Sequence, residues 1–178
     1  MKTIKAAGLL FLALLIFAAP ATAAELKLAY ANLQKALNEC EAGIKAKDTL
    51  KDEAKKLEDE LNVKQEELKK LKEEMDKKGN VWNKDTKEAK DRDFKNKTQE
   101  FQKKYMEYGE QLNKKKQETE SDIIDELRAV VEEIAQKKGY TYVFERSVGG
   151  LLVAPPSDDL TDEVIKAYNK QFRAKKSK

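Results

Sequence analysis

Residues 50–75 read LKDEAKKLEDELNVKQEELKKLKEEM. Leu50, Ala54, Leu57, Leu61, Lys64, Leu68, Leu71 and Met75 are separated by alternating steps of four and three. That is a heptad seam with one polar member, Lys64. Lys55, Lys56, Glu58, Glu66, Glu67 and Lys69 fall at solvent positions around it. The stripe is too narrow to build a globular core and requires a second helix to cover it. Gly43 precedes the pattern and Gly79-Asn80 breaks it, so the spacing predicts a helix from about Ile44 to Lys78.

The stretch that follows is polar as far as Asp93, apart from Val81, Trp82 and Ala89. A second seam then runs through Phe94, Phe101, Tyr105, Tyr108, Leu112, Thr119, Ile123, Leu127, Val130 and Ile134. Its steps are mostly heptad. The repeated step of four at Thr119, Ile123 and Leu127 is a stutter, which locally unwinds a left-handed supercoil. Two such helices with a short break between them fold back as an antiparallel hairpin. Residues 44–138 are therefore expected to form an arm roughly 50 Å long. Leu57, Leu61, Leu68, Leu71, Phe94, Phe101 and Tyr105 are its expected seam. The alternative for the aromatics of the second helix is that they face a binding cavity. Trp82, at the tip, either packs across the hairpin end or contacts a client or a membrane interface. Gly109 interrupts a helix interior and implies mild local flexibility.

The flanks have a different period. Residues 26–31 (LKLAYA) alternate like a strand, and Asn32 caps a short helix carrying Leu33, Ala36 and Leu37. Residues 140–145 (YTYVFE) are aromatic and β-branched. Gly149-Gly150 offers a turn, and residues 151–154 (LLVA) a third strand. After Pro155-Pro156, Asp159 or Thr161 caps a last helix with Leu160, Val164, Ile165, Tyr168 and Phe172 on one face. Residues 24–43 and 139–178 thus form a β-body split by the arm. A body below about 70–80 residues needs staples or oligomerisation. The fold class expected is α+β: a long antiparallel coiled-coil hairpin inserted in a small sheet that other subunits complete. Leu26, Leu28, Tyr30, Tyr142, Phe144 and Leu152 are the expected assembly residues.

Composition narrows the function. The chain has no histidine, which removes the commonest general base and metal ligand. Its one cysteine, Cys40, permits no intrachain disulfide and reads as a small, partly buried side chain. No cofactor and no metal site are expected, and no phosphate loop or nucleophile–base set argues for an enzyme. Charged residues make up 39 % of the chain, yet the net charge is only +3, which argues against general nucleic-acid binding. Lys2 and Lys5, the apolar residues 6–19 and Ala21-Thr22-Ala23 make a secretory signal peptide, with cleavage expected after Ala23 or Ala24. Leu37-Asn38-Glu39-Cys40 lies too far beyond that apolar run, and holds an acid before the cysteine, to be a lipoprotein box.

Residues 27–37 (KLAYANLQKAL), 138–144 (KGYTYVF) and 159–164 (DLTDEV) resemble the opening strand, second strand and last-helix start of the OmpH/Skp periplasmic chaperones. The resemblance spans the whole mature chain. It implies a homotrimer with a central barrel-like body and three helical arms around a cavity. Unfolded outer-membrane proteins are held there without ATP. It also implies contact with anionic lipid or lipopolysaccharide. Many weak contacts suffice once later ones become intramolecular. Lys77, Lys78, Trp82, Lys84, Lys87 and Arg92 are the candidate tip contacts for clients or lipid, although residues 76–97 carry a basic surplus of only three. The competing function is a structural coiled-coil spacer or tether of the envelope.

Overall fold

The computed structural model describes residues 26–177; the expected signal peptide, residues 1–23, lies outside them. The elements are β1 (Leu28–Ala31), α1 (Leu33–Glu39), α2 (Glu41–Lys78), α3 (Lys84–Lys138), β2 (Tyr142–Glu145), a 3-10 turn (Pro156–Asp158) and α4 (Thr161–Lys176). The chain is mostly helical, with long helices and one small sheet, as expected.

α2 and α3 form the hairpin. At 1.5 Å per residue, the 38 residues of α2 span about 57 Å and the 55 of α3 about 80 Å. All eight α2 seam positions, Lys64 included, are half-buried or buried. α3 outruns α2 because its last turns belong to the body. Ile123, Leu127, Val130 and Ile134 are buried there with Ala29, Ala31, Leu33, Leu37, Cys40, Leu160, Val164 and Tyr168.

One helix boundary differs from expectation. α2 starts at Glu41, three residues before Ile44, because the Cys40 thiol accepts the Gly43 N–H at 3.3 Å. Sulfur is outside the usual capping set, which hides this start. The break between the arm helices is short, and the polar residues 84–93 are helical. The Asn83 side chain caps α3 by accepting the Thr86 N–H at 2.8 Å. Glu88 then pairs with Lys84 and Arg92 one turn either side. That turn has little to cover, so it needs no apolar residue.

β1 and β2 pair in parallel, with Leu28 opposite Tyr142 and Tyr30 opposite Phe144. The whole arm is the crossover between them. The other edge of β1 is taken by a bridge to Asp159, reinforced by the Leu160 N–H donating to the Tyr30 carbonyl at 2.8 Å. The third strand is not formed: residues 151–154 lie outside any strand, with Leu152 and Val153 both 88 % exposed. Gly150 (φ 69°) turns the chain away after β2, and this segment meets no partner edge among the described residues. At α4, Asp159 accepts the Thr161 N–H at 2.9 Å. The Thr161 hydroxyl donates to the same Asp159 oxygen and accepts the Asn32 N–H at 2.9 Å, tying α4 to the end of β1.

Candidate functional site

The sheet has two unlike faces. Ala29, Ala31 and Val143 point toward the helices and enter or pack on the core. Leu28, Tyr30, Tyr142 and Phe144 share the opposite face, because paired residues of a parallel ladder stand on the same side. Tyr142 is 56 % exposed and Phe144 46 %, their rings 6.4 Å apart. Leu26 and Leu28 are exposed beside them. Tyr30 departs from its expected place, being buried within its own chain. Arg146 lies 5.3 Å over its ring, and Asp159 and Leu160 pair with its backbone. Leu152 is on the unpaired segment rather than on this face.

The arm contains an ionic ladder that the apolar pattern does not reveal. Glu53, Glu60, Glu67 and Glu74 stand seven apart on α2. Glu53 pairs with Lys115, Glu67 with Lys97 at 3.6 Å, and Glu74 with Lys90 at 3.0 Å. Glu60 accepts the Tyr108 hydroxyl, which itself takes a hydrogen bond from Lys104 at 3.3 Å. The bond from Lys90 holds the Glu74 carboxyl below its ordinary range. The repeat of glutamates, set against lysines at 90, 97 and 104, is the sequence signal that could have found this ladder.

That ladder corrects the seam at Tyr105. Between Phe101 and Tyr108, position 104 or 105 can face α2, since both satisfy the heptad. Hydrophobicity favours Tyr105, but the carboxylate of Glu60 opposite favours Lys104. Lys104 is half-buried and Tyr105 is 65 % exposed. Phe101, Gln102, Tyr105 and Met106 then line a shallow groove of about 350 Å³ on the arm's flank. Leu57, Leu61, Leu68, Phe94 and Phe101 are half-buried, and Leu71 is buried.

At the tip, Lys77, Lys78, Lys84, Lys87 and Arg92 are all exposed. Lys77 and Lys78 pair with Glu73 and Glu74 at 3.7 and 3.6 Å on their own helix, which mutes their field. Trp82 is half-buried on the hairpin end, with the Lys90 ammonium 5.8 Å from its ring centre. The neighbouring Val81, not singled out by its sequence position, is the apolar side chain presented to solvent, 81 % exposed.

Three comparisons bear on this architecture. The family model described as outer membrane protein (OmpH-like) matches residues 27–168. The Skp-like protein of Pseudomonas aeruginosa is 32 % identical over 161 residues, covering 86 % of this chain and 90 % of that one. A solved structure from Caulobacter crescentus, provisionally described as an OmpH-like outer membrane chaperone, superposes with a TM-score of 0.77 at 18 % identity. The overlap covers 82 % of this chain and 85 % of that one. The family match therefore takes in β1, the full hairpin, β2 and the first half of α4, and the chain belongs to the OmpH-like family.

Proposed function

We propose that this chain is an ATP-independent periplasmic holdase, which keeps unfolded outer-membrane proteins from aggregating between the helical arms of a homotrimer. The observation that carries this reading is the state of the arm within an OmpH-like fold. Along α2 only Leu71 of the seam is buried; the other seam positions are half-buried, and apolar groups reach solvent at Phe101, Tyr105 and Met106. Such a surface suits weak, repeated contacts with an unfolded chain. The arm is residues 44–138 and the assembling body is residues 24–43 and 139–178, closed by the open faces of Leu28, Tyr142 and Phe144 from several copies. Export by a cleaved signal peptide places the mature protein with its clients. The tip lysines add attraction for acidic clients or anionic lipid, weakening with salt over a Debye length of about 8 Å.

The test is light-scattering mass on a sizing column, for the mature chain alone and after mixing with a urea-unfolded outer-membrane barrel diluted from denaturant. A trimer that gains a client and keeps it soluble is expected. A stable oligomer that leaves the barrel to aggregate would replace this reading with that of a structural spacer.

A further inference from the structure

The arm leaves the body at a layer that is open on both sides. One groove of about 450 Å³ lies between α2 and α3 on the side of Leu37 and Asn38. Another of about 370 Å³ lies on the opposite side. The two share Ala46, Leu50, Thr119 and Ile123, so the small Ala46 and Thr119 separate them. On the body side, Cys40, Leu127 and Val130 are buried in one continuous cluster. Thr119 also begins the stutter, where left-handed supercoiling is relaxed. A layer with free volume on two faces, next to a packed one, is where a long lever bends at least cost.

The two faces are not equivalent. Tyr168, Phe172 and Lys176 of α4 wall the second groove, and no residue of α4 lines the first. α4 is anchored on the body side of the open layer, to both arm helices. Asn169 accepts the Glu41 N–H at 2.9 Å, and Arg173 grips the Glu41 carboxylate at the start of α2. On α3, Glu126 accepts the Tyr168 hydroxyl at 2.6 Å and pairs with Lys175 at 2.7 Å. The end of α4 then projects across the open layer, where the Lys176 ammonium lies 4.6 Å over the Phe172 ring.

We propose that the arm pivots at the Ala46–Thr119 layer and that the C-terminal half of α4 is a one-sided stop, arresting the swing toward Phe172 and leaving the opposite swing free. Its use in admitting clients rests on the holdase reading. Its existence does not, because the movement is measured without a client.

The experiment uses spin-label distance distributions within one chain, diluted with unlabelled chain. Gln99→Cys reports the arm, paired either with Asn38→Cys or with Lys170→Cys on the two sides of the pivot; the buried Cys40 stays unlabelled. Both distributions are expected to be broad, the Gln99–Asn38 one tailing to short distances and the Gln99–Lys170 one cut off sharply on its short side. Arg173→Ala with Lys175→Ala should raise the population bent toward α4 by about twofold, the scale of exposed ion pairs. High salt on the unsubstituted chain should do the same by screening those pairs, and this keeps the test decisive if the variant unfolds. A Gln99–Lys170 distribution that tails to short distances as the Gln99–Asn38 one does, or one unmoved by substitution and by salt, would overturn the stop. Failure of client retention with these distances as expected would strike only the holdase reading.

Discussion

Gly43 and Gly109 are both helical glycines with opposite expected responses to alanine. A Cβ at Gly43 would stand 1.8 Å from the Leu37 carbonyl oxygen, so the α1–α2 junction would have to open. A Cβ at Gly109 would meet nothing within 4 Å. Gly109→Ala should therefore stabilise the chain by about 1 kcal/mol, while Gly43→Ala should lower the melting temperature. Thermal denaturation of the two variants decides both. Glu145 offers a pH-dependent case. Burial pushes its carboxyl up, but hydrogen bonds from the Ser147 hydroxyl and the N–H groups of Val148, Ser147 and Leu33 outweigh it and hold the carboxyl below its ordinary value. A carboxylate depressed by folding contributes stability above its unfolded pKa and loses it as pH falls through the folded one. The melting temperature of the unsubstituted chain should exceed that of Glu145→Gln at neutral pH. The gap should shrink as pH drops below about 4.3, the unperturbed Glu value. A gap constant from neutral to acid would remove Glu145 as its source.

The hairpin owes its alignment to two patterns of different legibility. The α2 seam can be read directly, since leucine and methionine at heptad spacing have one way to face a partner. The ladder of Glu53, Glu60, Glu67 and Glu74 is equally periodic, yet charged residues on a helix are expected in solvent. Only the partner helix shows that Lys97 and Lys90 meet them. Exchanging Glu67→Lys with Lys97→Glu tests the pairing. Each single reversal should destabilise, and the double variant should recover a coupling of roughly 0.2–1 kcal/mol, as exposed pairs do. Additive losses in denaturant unfolding would mean that this rung does not set alignment. The same dependence on a partner explains what could not be read. Tyr105 and Lys104 fit the heptad equally well until Glu60 is opposite them. Residues 151–154 have strand composition, but a strand exists only where another edge accepts its hydrogen bonds. Cys40 caps a helix from a residue type that gives no warning of it. By contrast, β1, the Asn32 cap and the apolar face of α4 depend on local signals, and they stand where those signals put them.

The body is less dependent on neighbours for its core than its length implies. α3 contributes Ile123, Leu127, Val130 and Ile134 to the cluster that also holds β1, α1 and α4. What remains uncovered is the sheet's aromatic face and the apolar segment after Gly150. Burying one such face against a hydrophobic neighbour is how sheets are normally stabilised, and in the proposed homotrimer the unpaired residues 151–154 would be free to pair with another copy's open edge. Because the helical core is internal, assembly and folding should be separable. Tyr142→Asp with Phe144→Asp places two charges on the open face and leaves Ala29, Ala31 and Val143 untouched. Light scattering should then fall to the mass of a single chain, while far-UV circular dichroism keeps the helical signal of the arm. Loss of helicity together with mass would mean that the body cannot fold unassembled. An unchanged mass would show that copies meet through some other surface, and the sheet face would have to be assigned a different occupant.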